Sequence, residues 1–403
     1  MRGMADTVAL PSGSQTSLRE ANRVRILDVV KRFGVITQVE LADATGLSAG
    51  TVSVIVKELV EAGIVNTSPT SRSGRRANNV RLARRLGLIG GVHIGMRDLR
   101  VALSNPAGEV LVRRHLPLAA GNRADTTFDR ICLFIMDMLD DLGANHDELL
   151  ALGVGVDAPI DWTSGMVSSP GLMRGWDEVA IGDSLQRRLD TPVLVDNASN
   201  LSALAEYRMG AGAGADPMIY LAVTHGIGAG IIIGAQIFRG FSGAAGEIGH
   251  QSIDDHGPIC RCGNRGCLEA IAGAPALLES LRMTHGNLSL ADLVELTLDG
   301  DVACGRVIED AARHIGFVLA GLCNTIDPQR IVVGGEMAAV GELFLAPLRR
   351  ATSRFTLPSS TPTIEIVPAQ LGLDCALFGA ISLALDSVHL PGNLEGVVLH
   401  DTN

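Results

Sequence analysis

Aromatic side chains are scarce: the 403 residues include 2 Trp, 2 Tyr and 9 Phe, or 3% of the chain. Hydrophobic residues still make up 47%, so the interior must be built from aliphatic side chains. A long apolar leader is also missing. Residues 1–17 are polar, small and turn-rich, which predicts a disordered tail and no signal peptide. The longest uncharged apolar segment, Met218–Phe238, contains His225, Gln236 and glycines 226, 228, 230 and 234 between two β-branched runs. That pattern reads as strand–turn–strand and excludes a membrane helix. Cysteines number seven, an odd count that does not suit a framework of paired disulfides. Cys132, Cys304, Cys323 and Cys375 sit in apolar, helix-like contexts and are expected to be buried small residues. The other three cluster, and as thiolates they suit a reducing cytoplasm.

At roughly 100–200 residues per domain, two or three globular units are expected. Charge is distributed unevenly between them. Residues 1–90 hold 13 Lys+Arg against 7 Asp+Glu, a balance of +6, while the remainder holds 20 against 37, a balance of −17. A basic front on an acidic body points to a polyanionic partner for the front alone, with a solvated basic face as the plainer alternative.

Helical periodicity begins near Arg19, with Ile26, Leu27, Val30 and Phe33 on one stripe and Gly34 ending it. Thr37 and Glu40 fit a capping box that opens a short helix to about Thr45. Gly46-Leu47 makes the turn, and Ser48 caps a second helix with Val52, Ile55 and Leu59 inward, ending at Gly63. This is a helix-turn-helix pattern. Two short strands, Ile64–Thr67 and Asn79–Leu82, flank a flexible basic tip, Ser68–Arg76, and extend the pattern to a winged helix. Its recognition helix would present Ser48, Ala49, Thr51, Ser53 and Lys57 to the major groove. Arg72, Arg75 and Arg76 on the wing would contact phosphates or enter a minor groove.

From Leu86 onward, strand runs dominate. Leu88–Gly95, Leu99–Ser104 and Val110–Leu116 precede a helix from Asp125 to Leu142 and a strand Leu149–Val156. Val193–Val195 leads into a helix to about Met209, and the same order restarts at Met218. Gly246-Glu247-Ile248-Gly249-His250 is followed by Cys260-Arg261-Cys262-Gly263-Asn264-Arg265-Gly266-Cys267-Leu268-Glu269. One imidazole and three thiols form the ligand set of a closed, tetrahedral zinc site. His256 is an alternative nitrogen ligand, and Glu247 and Glu269 flank the set.

These segments, in this order, resemble the ROK family (repressors, open reading frames and sugar kinases) from about residue 87 to 385. The resemblance implies an α/β chain: an N-terminal winged helix-turn-helix over 18–85, a two-lobed actin-like ATPase (ribonuclease H-like) ROK domain over 86–388, and a tail over 389–403. It implies structural Zn²⁺ on His250, Cys260, Cys262 and Cys267 in a loop over 250–267. It also implies sugar contacts from Asn197, Glu247, His250 and Glu269.

Three kinase features are altered. His93 stands where the family's kinases carry a strand-end Asp, with Met96 and Arg97 in the following turn. Asp196-Asn197-Ala198-Ser199-Asn200 matches the kinases' Glu-Asn-Asp-Ala-Asn, with Ala203 and Glu206 anchoring the alignment, so Ala198 replaces the catalytic base. Thr224-His225-Gly226-Ile227-Gly228-Ala229-Gly230 replaces a loop that normally opens Gly-Thr-Gly. No catalytic residue is therefore assigned. The expectation is a cytoplasmic, sugar-responsive transcriptional regulator, a repressor of carbohydrate uptake or metabolism genes. It would bind operator DNA and a sugar effector as a homodimer or homotetramer, without a membrane. The alternative is a ROK sugar kinase with an appended DNA-binding domain. A zinc hydrolase would need an open metal position that four protein ligands deny.

Overall fold

The computed structural model describes residues 15–72, 75–119, 121–168, 172–173, 175–357 and 364–390, and of residues 15, 16, 71, 72, 75 and 76 the backbone alone. Contacts divide the chain into two compact units, one including the residues up to Gly87 and the other spanning Leu88–Ser387.

The first unit runs α1 (Gln15–Phe33), β1 (Ile36–Thr37), α2 (Gln38–Thr45), α3 (Ala49–Glu61), β2 (Val65–Arg72) and β3 (Arg75–Leu82). Helix α1 begins at Gln15, inside the stretch expected as a tail, and residues 1–14 of that tail lie outside the described residues. Ile26, Leu27 and Val30 are buried as the stripe requires, but Phe33, in the last turn, is 50% exposed. Thr37 and Glu40 form the capping box: the Thr37 Oγ1 accepts the Glu40 N–H at 3.3 Å, and Glu40 Oε2 accepts the Thr37 N–H at 2.9 Å. Gly46 closes α2 at φ 68, a left-handed conformation that favours glycine. The Ser48 side chain caps α3, which buries Val52, Ile55, Val56 and Leu59.

The wing differs from its expected outline. Strands β2 and β3 pair antiparallel from Val65↔Leu82 out to Arg72↔Arg75, so the ladder continues through most of the expected flexible tip. Backbone pairing runs the length of this arm, past the buried Val65, Val80 and Leu82 at its base. Asn66 to Pro69 are exposed, so no apolar alternation marked it. Strand β1 adds a third strand through Ile36↔Val80 and Thr37↔Asn79. Residues 73–74 at the tip, and 391–403 of the expected C-terminal tail, lie outside the described residues.

The second unit contains two sheets of the same plan. In the first lobe, β4 (Leu88–Ile94), β5 (Asp98–Ser104) and β6 (Val110–Pro117) form a meander. Helix α4 (Ala124–Leu142), β7 (Leu149–Val156), the β8 (Ile160–Asp161) and β9 (Met166–Val167) hairpin, α5 (Ile181–Leu189), β10 (Val193–Asn197) and α6 (Ala198–Met209) follow. In the second lobe, β11 (Met218–Val223), β12 (Ile227–Ile233) and β13 (Gln236–Ile237) form the meander. Helices α7 (Leu268–Ala272), α8 (Ala274–His285), α9 (Leu290–Leu298) and α10 (Val302–Ile326), then β14 (Arg330–Gly334), α11 (Glu342–Phe355) and β15 (Glu365–Pro368) complete it, and α12 (Cys375–Ser387) returns to pack on β4 and β7 of the first sheet. The sheet orders are β10-β7-β4-β5-β6 and β13-β12-β11-β14-β15. In each, the first strand of the meander pairs parallel with a strand that follows the meander, β4 with β7 and β11 with β14. The uncharged segment from Met218 forms β11–β13, and among the described residues no single helix is long and apolar enough to cross a membrane.

Helices α6 and α12 pack closely on the sheets. A Cβ at Gly153 would lie 1.9 Å from Ala380 O, and one at Gly230 would lie 2.2 Å from Ser199 O, so glycine permits both approaches. The core is aliphatic apart from a few rings such as Trp176, which meets Phe128 edge-on at 5.4 Å. Cys304, Cys323 and Cys375 are buried in helices, whereas Cys132, expected to be buried, is half-buried in α4. Glu206 is fully buried, and its carboxylate accepts the N–H groups of Ala211 at 2.7 Å and of Gln370 and Leu371 at 2.8 Å each.

Candidate functional site

A cleft between the two sheets of the second unit is lined by the C-terminal ends of β4, β7 and β10, the β11–β12 turn and the Cys-rich loop. The end of β10 contributes Asn197, which caps α6. Its Oδ1 accepts the Ser199 N–H at 2.7 Å, and its Nδ2 donates to Ala158 O and to Glu247 Oε1, each at 3.0 Å. One amide thus holds the helix start and ties the two lobes together. Ala198, the next residue, is 5% exposed and lines the cleft with a methyl group that cannot accept a proton. Behind it, buried Asp196 pairs with Arg239 from the opposite lobe at 2.6 Å.

Burial pushes the Glu247 carboxyl up to about 7; the Glu269 charge adds to the shift and Arg261 opposes it. Glu269 lies in the first turn of α7 and is held from two sides. The Ile227 N–H donates to Oε2 at 3.2 Å, while Arg261 Nε donates to Oε1 at 2.8 Å. A Cβ at Gly226 would lie 2.5 Å from Glu269 Oε2, so this turn must be glycine for the carboxylate to sit there.

His250 ends a short 3₁₀ turn, and burial lowers its pKa, keeping the ring neutral and able to ligate. One ligand atom each from His250, Cys260, Cys262 and Cys267 lies within 4.8 Å of the others. His250 Nδ1 is 3.5 Å from Cys260 Sγ, and Cys262 Sγ is 3.7 Å from Cys267 Sγ. A tetrahedron with metal–sulfur bonds of about 2.3 Å has edges of about 3.8 Å, so the four residues can hold a metal ion. Burial and the neighbouring thiols push Cys267 up to about 12, so its thiolate needs a nearby cation. The alternative ligand, His256, is exposed and outside the set, with its Nδ1 2.6 Å from Asp255.

The turn after β4 is the first of the two loops that bind phosphate in the kinases this sequence resembles, and here a carboxylate reaches position 93 from Asp157, directly after the neighbouring strand β7. His93 Nε2 lies 3.0 Å from Asp157 Oδ1, and Asp157 Oδ2 accepts the Met96 N–H at 3.2 Å. The strand register brings this about: His93 pairs with Gly155, and Asp157 lies two residues further on. The second loop keeps a tight turn, with the Thr224 N–H donating to Gly226 O at 3.0 Å and His225 at its tip. Sequence reasoning missed Asp157, Arg239 and Arg261. Of these, only Asp157 had a local signal, its place directly after a parallel strand.

In the first unit, Ser48, Ala49, Ser53 and Lys57 are exposed on α3. Thr51 is half-buried, and its Oγ1 is 2.9 Å from Ser48 Oγ. Val54, missed in the sequence, shares the outward face at 54% exposure. The side chains of Arg72, Arg75 and Arg76 lie outside the described residues.

The ROK family profile matches residues 89–387. The chain belongs to the ROK family. A winged helix-turn-helix DNA-binding profile matches residues 19–66, so this ROK protein carries an N-terminal DNA-binding domain. It is similar to the xylose repressor of Bacillus subtilis, at 28% identity over 374 residues covering 92% of this chain and 97% of the repressor. It is likewise similar to the DNA-binding transcriptional dual regulator NagC of Escherichia coli, at 28% over 402 residues and 96% of each chain. The solved ROK glucokinase of Streptomyces griseus, in complex with glucose and AMPPNP, is 29% identical with a TM-score of 0.66. It covers 74% of this chain and 99% of its own. The regulators therefore align with both units, and the kinase with a share close to that of the ROK body alone.

Proposed function

We propose that this ROK protein is a sugar-responsive, DNA-binding transcriptional regulator, a repressor of carbohydrate uptake or metabolism genes, whose body binds a sugar without phosphorylating it. The observation that carries this reading is Ala198. A methyl group stands at the position of the proton acceptor, beside Asn197, Glu247 and Glu269, which still converge on the cleft. The altered phosphate loops and the full-length similarity to named regulators support the same reading.

In this reading, residues 18–85 read operator DNA and residues 86–388 sense the effector. Sugar hydroxyls meet Asn197, Glu247, His250 and Glu269. Glu247, poised near neutrality, accepts or donates a hydrogen bond, while Glu269 accepts. We assign zinc to His250, Cys260, Cys262 and Cys267; when bound it closes the loop that carries Arg261 and presents Glu269. On α3, Ser48, Ala49, Thr51, Ser53 and Lys57 face the major groove, with Arg72, Arg75 and Arg76 on phosphates. Paired half-sites call for a homodimer or homotetramer, and thiolate ligands for the cytoplasm.

A sugar acts only by binding one arrangement of the protein more tightly than the other. The test is operator binding by the full chain, titrated with D-xylose and other sugars, beside a coupled ATP assay on the same panel. A sugar that shifts DNA affinity without ATP turnover supports the reading. Brisk ATP turnover lost in Glu269→Gln overturns it in favour of a kinase.

A further inference from the structure

Arg261 touches both lobes of the cleft. It lies between two thiol residues of the metal loop, Cys260 and Cys262. Its Nε donates to Glu269 Oε1 at 2.8 Å and one terminal nitrogen to Oε2 at 3.2 Å, a two-point bridge. The other terminal nitrogen reaches the opposite lobe, 3.3 Å from Leu172 O and 3.5 Å from Met96 Sδ. A Cβ at Gly226 would lie 3.6 Å from the same guanidinium. Met96 belongs to the first phosphate loop and Gly226 to the second. The guanidinium therefore fills the lane between the loops, through which a phosphoryl group would approach a sugar hydroxyl near Ala198.

Arg261 has little capacity left for an anion, because each of its nitrogens already has a protein acceptor. Two further cationic side chains of the cleft are matched by carboxylates, while Arg97 also lines it. His93 pairs with Asp157, and Arg100 bridges Asp98 at 2.6 Å and Asp374 at 2.8 Å. Two carboxylates lining the cleft form no ion pair among the described residues. Glu247 has only the Asn197 amide, and Glu336 Oε2 is buried without a hydrogen-bond partner.

We infer that Arg261 is the specificity-determining residue of the cleft: it positions Glu269 for the hydroxyls of a neutral saccharide and blocks the lane that the phosphate of a phosphorylated sugar would need. This rests on the sugar-sensor reading and narrows its effector to unphosphorylated sugars. It also gives the metal loop a second task, since the two flanking ligands fix where Arg261 starts.

The test is calorimetric titration of the full-length, metal-loaded protein with D-glucose, D-xylose and N-acetyl-D-glucosamine, each beside its terminal phosphate monoester. Wild type binds a neutral member, and its ester at least about tenfold more weakly, the size of one charge-assisted hydrogen bond. Arg261→Ala weakens the neutral sugar by about tenfold or more and narrows the gap to the ester, while metal content stays at the wild-type level. Arg261→Lys, which keeps the charge but cannot bridge both carboxylate oxygens, recovers only part of the affinity. If Arg261→Ala loses its metal, Arg261→Lys decides alone. An ester that binds wild type as tightly as its parent sugar overturns the inference, as does wild-type affinity for the neutral sugar in the deciding variant. The sensor reading survives either result if binding still depends on Glu269, tested with Glu269→Gln. Failure of wild type to bind any of the six compounds sinks both.

Discussion

Asp157 accepts a hydrogen bond from the ring of His93 at 3.0 Å and another from the Met96 backbone at 3.2 Å, so a protein carboxylate fills the turn that would face phosphate in a kinase. Burial disfavours the charged imidazole, but Asp157 outweighs it and, with help from Asp98 and against Arg100, holds His93 above its usual 6.5. Burial likewise opposes the Asp157 charge, yet His93 and the Met96 N–H hold it below its usual 3.8. The His93 contribution to stability is complete below 6.5 and is lost as pH rises through the higher folded value. The Asp157 contribution is complete above 3.8 and is lost as pH falls through the lower folded value. Both act together between those limits. The difference in melting temperature between wild type and Asp157→Asn should therefore be widest between pH 3.8 and 6.5 and shrink as pH rises above 6.5. A difference that does not shrink there would show that the pair is not coupled to folding.

Restoring the base alone should not restore a kinase. Ala198→Asp returns a carboxylate to the cleft, but Met96, the His93–Asp157 pair and His225 still occupy both phosphate loops. ATP turnover with a hexose panel should stay at trace level in a coupled assay. Robust turnover would mean that the loops remain competent for phosphate.

Cys262→Ser should lose about one metal per chain by elemental analysis, because three remaining ligands cannot close a tetrahedral site. Unchanged metal content would remove Cys262 from the ligand set.

Glu206→Ala would strand three backbone N–H donors around a fully buried carboxylate. The expected loss is about 3–5 kcal/mol in urea denaturation, at roughly 1–3 per stranded donor with partial relaxation. A loss under about 1 kcal/mol would mean that water replaces the carboxylate.

On DNA, Arg75→Ala combined with Arg76→Ala should weaken operator binding and reduce the salt slope by about 2, at roughly 0.9 per phosphate contact. An unchanged slope in a salt series would place the wing away from the backbone phosphates.

Much of this protein is written in local signals. The Thr37–Glu40 capping box, the strand runs of both lobes and the Cys/His spacing each depend on residue type at short separation, so the sequence displays them directly. The methyl group at Ala198 needed only a motif in which a carboxylate was due. Tertiary structure alone decided the polar pairs that shape the cleft. His93 meets Asp157 across 64 residues, and Asp196 meets Arg239 across 43. Even Arg261 and Glu269, 8 residues apart, meet only because the metal loop folds back on α7. Pairs of this kind are set by sheet register and lobe packing, and a charged side chain leaves no periodic trace of the partner it will find. The extended wing was hidden for a related reason, since backbone pairing carries its strands past the buried Val65, Val80 and Leu82 with no apolar alternation to mark it.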